Sequence, residues 1–294
     1  MWAKNIVFYR RDAFSLADLN NRLAKRPCHK PTGLDWFTQG WVTPAVFFDQ
    51  LAPKIGNYLL VALKRFDKVL PGAVIKAALE EKVNEIELKE ARKVGRKEKK
   101  QLKEQITDDL LPKALLKESQ TYAWLGNDFV FVNAGSHNKA ENVLSELREV
   151  LPPFPCALPR TKVSPSAAMT DWLASGEAPG DFELGADVNM QDGSTEGAKV
   201  TVRRGDLTAD DVRKHIESGK QVTAMSLTWR DRIRFTLTDN MLIKGIKYLD
   251  VMQEEVSNEA DAAALFDASF RLVSQEMEAM VLALVDALGG FEEA

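Results

Sequence analysis

Eight basic residues, Lys89, Arg92, Lys93, Arg96, Lys97, Lys99, Lys100 and Lys103, crowd into one stretch whose only acids are Glu90 and Glu98. The chemistry open to such a group is polyanion binding: cations on a rigid frame attract phosphates and release their counterions whatever the base sequence. The stretch is net +6 in a 294-residue chain of net −4, so the remainder carries −10 and the positive charge is localised. Written on one helix at about 100° per residue, all eight fall within an arc of roughly 160°, over about 21 Å. Basic helix faces are ordinarily solvated surface that binds nothing. Against that reading stands the shortage of acids one helical turn away, because eight cations on one face repel one another.

Enzyme chemistry has less to stand on. No glycine-rich phosphate loop, His-Glu-x-x-His pair or Gly-x-Ser-x-Gly elbow occurs. A nuclease needs clustered carboxylates to hold a divalent metal, and Asp108 with Asp109, Asp210 with Asp211, or Glu98 are the acids on offer. Each has a plainer explanation: a solvated helix end, favourable charge at a helix N-terminus, and neutralisation of neighbouring cations. Cys28-His29 lacks a second ligand pair at zinc spacing. No metal or cofactor is expected, and no enzymatic activity.

Composition, 45% hydrophobic and 28% charged, is that of a soluble globular protein. The first residues, Met1 to Arg11, interrupt their apolar run with charge and read as a strand, not a signal peptide. No apolar stretch approaches the ~18 to 20 residues of a membrane span. Two cysteines far apart, Cys28 and Cys156, favour a reducing cytoplasm.

The elements that must position the basic run follow from periodicity. Strands are expected at Lys4–Arg10 and Tyr58–Phe66, with loops between them and a short helix capped by Ser15. Pro71-Gly72 opens a helical pattern, Val74, Ile75, Ala78, Leu79, Val83 and Ile86, that continues through the basic run as a segment over 72–118. Gly95 leaves two forms open, one rod or two helices, and a break would divide the cationic face. A hairpin follows at Tyr122–Leu125 and Phe129–Val132, then a helix over Lys139–Val150.

Leu151-Pro152-Pro153-Phe154-Pro155 marks a boundary between halves 1–151 and 156–294. In the second half Thr170 precedes a short helix, a turn or loop is expected over 192–197, and Thr208 caps a helix stopped by Ser218-Gly219. A meander over Gln221–Trp229, Arg232–Thr238 and Leu242–Leu249 leads to a last helix, Ala260–Leu288. Strands and helices without a βαβ rhythm predict an α+β fold, antiparallel sheets with long helices.

Along nearly its whole length the chain resembles the bacterial recombination-associated RdgC family. The matching stretches are Trp2-Ala3-Lys4-Asn5 to Tyr9-Arg10, Gly40-Trp41-Val42, Leu70-Pro71, Ala91-Arg92-Lys93 and Ser119-Gln120-Thr121. Asp206-Leu207-Thr208, Gly219-Lys220, Arg232-Ile233 and Leu288-Gly289-Gly290 extend them. The resemblance implies a non-enzymatic, sequence-independent double-stranded DNA-binding protein of the nucleoid. It implies a ring-shaped homodimer with a positively lined hole that restrains RecA-promoted recombination. Arg92, Lys93, Arg96, Lys99 and Lys103 match basic positions of the family. The resemblance implies an aromatic residue in some relatives just before Ser119-Gln120, where this chain has Glu118. Arg203, Arg204 and Lys220 are secondary DNA-binding candidates, each also explicable as a solvated cation. The competing reading is a protein-interaction module that docks a recombination partner through its charged helix; a metal-dependent nuclease is a third.

Overall fold

Tyr58 to Leu63 is apolar at every position because both faces of the strand are covered. Tyr58 and Leu60 belong to one hydrophobic cluster, Val61 and Leu63 to the other. The same division runs through neighbouring strands: Phe8, Phe129 and Phe131 point one way, Val7, Tyr9, Val130 and Val132 the other. Alternation of this kind with apolar residues on both sides is the signature of a sheet buried on both faces. The computed structural model describes residues 2–12, 15–193, 197–255 and 261–292.

The first half supplies β1 (Val7–Arg11), α1 (Leu19–Leu23), β2 (Phe37–Val42), β3 (Lys54–Ile55), β4 (Tyr58–Val69), α2 (Gly72–Glu90) and α3 (Arg96–Leu110). It continues with β5 (Leu115–Leu125), β6 (Phe129–Val132), α4 (His137–Val150) and β7 (Cys156–Ala157). Its antiparallel sheet has the order β2-β4-β5-β6-β1-β7, with β3 on β4. The second half supplies α5 (Pro165–Ser175), β8 (Phe182–Asp192), β9 (Lys199–Val202), α6 (Asp210–Glu217), β10 (Lys220–Trp229), β11 (Ile233–Thr238), β12 (Ile243–Tyr248), α7 (Asp250–Glu254) and α8 (Ala262–Ala287). These strands form a second antiparallel sheet, β12-β11-β10-β8-β9. The architecture is the α+β class expected from the pattern.

The two sheets are tied by the N-terminal segment. Ile6 exchanges backbone hydrogen bonds with Ile243 at 2.8 and 3.0 Å, and the Ile246 N–H donates to the Lys4 carbonyl at 2.9 Å. Packing ties them again. The larger cluster takes Trp124 and Phe131 from the first sheet, Met225, Leu227 and Trp229 from the second, and Phe270 and Met277 from α8. Phe270 meets Trp124 edge-on at 6.0 Å and Tyr58 at 6.5 Å, and the Tyr58 hydroxyl donates to the Glu278 carboxylate. The core is therefore continuous across the proline-rich crossing at Leu151–Pro155.

Several expectations need correction. The helical segment 72–118 is two helices followed by a short 3-10 turn, and residues 115–118 already belong to β5. Ser15 does not cap α1, which begins at Leu19 after a left-handed Asp18; its hydroxyl accepts from Ala17 N–H. Thr170 lies inside α5, whose cap is Ser164 with Pro165 at the first turn. Thr208 bonds to Asp206 instead of capping α6. The interval read as loops contains β2, whose polar Thr38, Gln39 and Gly40 hid it. Gly40 is required because the Pro27–Cys28 backbone crosses it, leaving only 2.5 Å for a Cβ. Strands β8 and β9 were not anticipated either. Of the expected turn over 192–197, Ser194 to Glu196 lie outside the described residues, as does Ala260 of the last helix.

Because Phe270 joins both halves, Phe270→Ala should destabilise the whole protein by about 3–5 kcal/mol. Urea unfolding followed by far-UV signal and by tryptophan fluorescence should shift together. Separate transitions in the variant and the parent would show that the halves do not share one core.

Candidate nucleic-acid interface

Strands β4 and β5 pair without interruption from Leu59 opposite Leu125 to Val69 opposite Leu115, and the basic run is inserted where this ribbon ends. Helices α2 and α3 leave it as an antiparallel hairpin, packed on each other. With 19 residues, α2 makes a finger about 28 Å long at 1.5 Å per residue. Its seam is thin: Ile75, Val83 and Val94 are buried, Leu79, Ile86, Leu102 and Ile106 half-buried, and none of them enters either core cluster.

The tip of the finger is the turn between the helices. Ala91 closes α2 in the left-handed region at φ 48°, and Gly95 is the N-cap of α3. The single cationic face imagined on one rod therefore does not exist, because the break that Gly95 left open occurs. What replaces it is a cationic tip. Arg92 is held there by its own acids: its Nε donates to Glu90 at 2.6 Å, and its two terminal nitrogens grip Glu98 at 2.7 Å each. Hydrogen bonds from Arg92 hold the Glu98 carboxyl below the usual carboxylate range, and those to Glu98 and then Glu90 push the guanidinium up. The Val94 N–H donates to Glu87 at 3.0 Å and fixes the other side of the turn.

Lys89 pairs with Glu85 at 2.5 Å, and with Lys82 holds that carboxyl down to about 2; Lys100 stands 4.0 Å from Glu104. Among the described residues the remaining five, Lys93, Arg96, Lys97, Lys99 and Lys103, are exposed and make no ion pair. Four of these five lie on α3, and with Lys100 they occupy an arc of roughly 160° over about 10 Å. Arg96, Lys97 and Lys99 sit in the first turn of α3, where the helix dipole disfavours cations. The arrangement costs stability locally and leaves a concentrated positive field at the tip.

The secondary candidates separate. Arg203 and Arg204 follow β9 and line a shallow depression of ≈ 340 Å³ with Asp187, Asn189 and Thr236, on the solvent face of the second sheet. Arg204 adopts φ 53° and its N–H donates to Asp187 at 3.0 Å. Lys220 instead shares the side of the buried Val222, and its ammonium donates to Ser218 at 3.0 Å. Three cations missed in the sequence, Arg234, Lys244 and Lys247, are exposed on the same sheet face as Arg203. Their signal was present in Ile233-Arg234-Phe235 and Ile243-Lys244, where a cation takes the outward place of an alternating strand.

The acids fall where the plainer readings put them. Asp108 and Asp109 are exposed in the last turn of α3, and Asp210 and Asp211 open α6. Among the described residues no three His, Cys, Asp or Glu side chains gather as a metal site. Glu118, on β5, pairs with Lys64 at 2.7 Å. No helix among the described residues is long and apolar enough to cross a membrane.

A family model described as "Putative exonuclease, RdgC" matches residues 1–291. The chain belongs to the RdgC family. It is 46% identical over its whole length to the recombination-associated protein RdgC of Laribacter hongkongensis, and 45% identical to that of Neisseria meningitidis, in each case covering all of both chains. The RdgC protein of Pseudomonas syringae pv. tomato is 37% identical over 99% of this chain and 98% of its own. The full-length match places this RdgC chain among recombination-associated proteins.

Since Arg92 is the main group depressing Glu98, with the Gly95 backbone N–H assisting, the carboxyl should titrate below an ordinary glutamate in the parent and move upward in Arg92→Ala. The tip clamp is then complete above that range and is lost as pH falls through the lowered value. Carboxyl NMR titration checks both; an unmoved Glu98 would remove Arg92 from the clamp.

Proposed function

We propose that this RdgC chain binds double-stranded DNA without regard to sequence, through its cationic finger, and restrains RecA-promoted recombination without cutting DNA. The single observation that carries the reading is the tip: five exposed cations without acid partners among the described residues, three of them placed against the dipole of α3. A solvated structural helix gains nothing from that repulsion, whereas a phosphate backbone relieves it. The names of the relatives, recombination-associated proteins, agree with a DNA ligand.

The active form in this reading is a homodimer that encloses the duplex at the nucleoid. A chain of net −4 repels DNA over most of its exterior, and two cationic fingers turned inward confine attraction to a cavity. DNA held in such a cavity is withheld from the strand-exchange filament, which is how restraint would arise. The name of the matching model raises hydrolysis as the rival reading. Asp210 and Asp211 are accounted for by the helix N-terminus they open, and Asp108 with Asp109 is exposed with no third ligand beside it among the described residues, so Asp108→Ala with Asp109→Ala should leave binding unchanged. Magnesium-dependent nucleotide release by the pure protein, abolished in that variant, would favour the rival.

Binding should weaken steeply with salt, with a log–log slope of about −0.9 per neutralised phosphate. Alanine at Lys93, Arg96, Lys99 and Lys103 together should flatten that slope by up to about 3.6. A gel-shift titration on random-sequence duplex at several salt concentrations measures it, and an unchanged slope in the folded variant would remove the finger from the interface. Enclosure adds its own test. Complexes on covalently closed circles should outlast those on linear DNA after a high-salt challenge, because screening removes attraction but leaves the ring threaded. Equal loss from both, with the dimer independently established, would argue against encirclement.

A further inference from the structure

The outer face of the second sheet carries a charge pattern that folding does not explain. Arg234 and Lys247 stand directly opposite each other across β11 and β12, and Lys244 stands opposite Thr236 on the same side. Like charges in cross-strand register cost stability. Among the described residues none of the three cations makes an ion pair, and all three are exposed. At the far edge, Lys199 and Arg203 project from and just beyond β9 on this same face, with Arg204 beside them. Six cations thus share the face with two carboxylates, Glu183 and Asp187, the second of which is occupied by the Arg204 N–H.

Between the two cationic edges the outward residues include the short neutral Asn189, Thr201, Thr223 and Thr236 beside the carboxylates Glu183 and Asp187. From β12 to β9 are four interstrand steps, about 19 Å at about 4.8 Å each. We infer that this face is a second nucleic-acid contact surface, in which the Arg234, Lys244, Lys247 edge and the Lys199, Arg203 edge take phosphates from opposite strands of one duplex. The inference rests on the reading of the protein as DNA-binding and extends it to a surface separate from the finger.

The chemistry of the face selects the ligand. None of the exposed large apolar residues among those described lies on it, so it offers neither the aromatic platform that single-stranded bases stack on nor the apolar centre of a protein interface. Hydroxyls and amides between rows of cations suit a backbone of phosphate and sugar read without sequence. Two separated cationic rows can engage the two backbones of a duplex, whereas a single strand would engage one edge alone.

The test uses the full-length protein and fluorescence anisotropy on a random-sequence duplex of about 30 base pairs, titrated at several salt concentrations. Arg234→Ala, Lys244→Ala and Lys247→Ala combined should flatten the log–log slope by about 2.7, additively with the finger variant. Because a repulsive pair is removed, the melting temperature should hold or rise by about 1–2 °C. If the triple variant melts lower than the parent, Lys244→Gln alone must still flatten the slope by about 0.9. A slope unchanged by these substitutions but flattened by the finger variant overturns the second surface and leaves the DNA-binding reading standing. A parent protein without salt-dependent duplex binding overturns both.

Discussion

Everything in this fold follows from the need to cover both faces of the first sheet. Its strands carry apolar side chains on each side, so a single layer of helices cannot satisfy it. Helices α1 and α4 close one face. The other is closed by α8, which arrives from the far end of the chain, together with the inner face of the second sheet. Trp124, packed between Phe131 at 5.5 Å and Phe270 at 6.0 Å, is where the two halves meet. Among the surfaces left outside the core are the helical finger and the outer side of the second sheet. The cations without acid partners in both clusters are on these surfaces.

Acids in this protein are used to hold cations in place where a fixed geometry is needed. Arg232 lies between Glu255 at 2.8 Å and Glu276 at 2.9 Å, joining the β10–β11 turn to α8. Arg92 with Glu98 does the same for the tip of the finger. Exposed pairs of this kind add little stability, but a two-pronged guanidinium grip defines an angle. The contrast with Lys99, Lys103, Arg234 and Lys247 is informative, because among the described residues these side chains make no ion pair although acids are plentiful in the sequence.

The elements with one strong period were legible from sequence: β4, β6, α4, the three-strand meander and α8 fell where their apolar residues placed them. So was the localisation of charge. The failures have physical causes. Strand β2 is an edge strand with polar residues and a glycine imposed by a crossing backbone, so it lacks the apolar alternation that identifies strands. Thr208 looked like a cap because local spacing cannot reveal that Asp206 takes its hydroxyl. The sequence left a rod and a broken helix both open at Gly95 because the periodicity of α2 and the charge run of α3 join smoothly there, while the left-handed turn at Ala91 has no residue signature. Arg234, Lys244 and Lys247 were passed over because single cations in amphipathic strands mean little until strand pairing places them side by side.

In the proposed reading, pairing also explains how a chain of net −4 could bind a polyanion. Screening limits exposed charges to a range of about 8 Å at physiological salt. The two edges of the second sheet, about 19 Å apart by strand spacing, therefore do not sense each other or the excess acid elsewhere on the surface. Each attracts whatever phosphate comes within its own range. Net charge then governs solubility and long-range approach, while adhesion is set by local density, which is positive at the finger tip and along both edges. Concentrating cations where nothing folds against them, and spending acids as clamps or elsewhere on the exterior, lets an acidic protein carry locally basic surfaces.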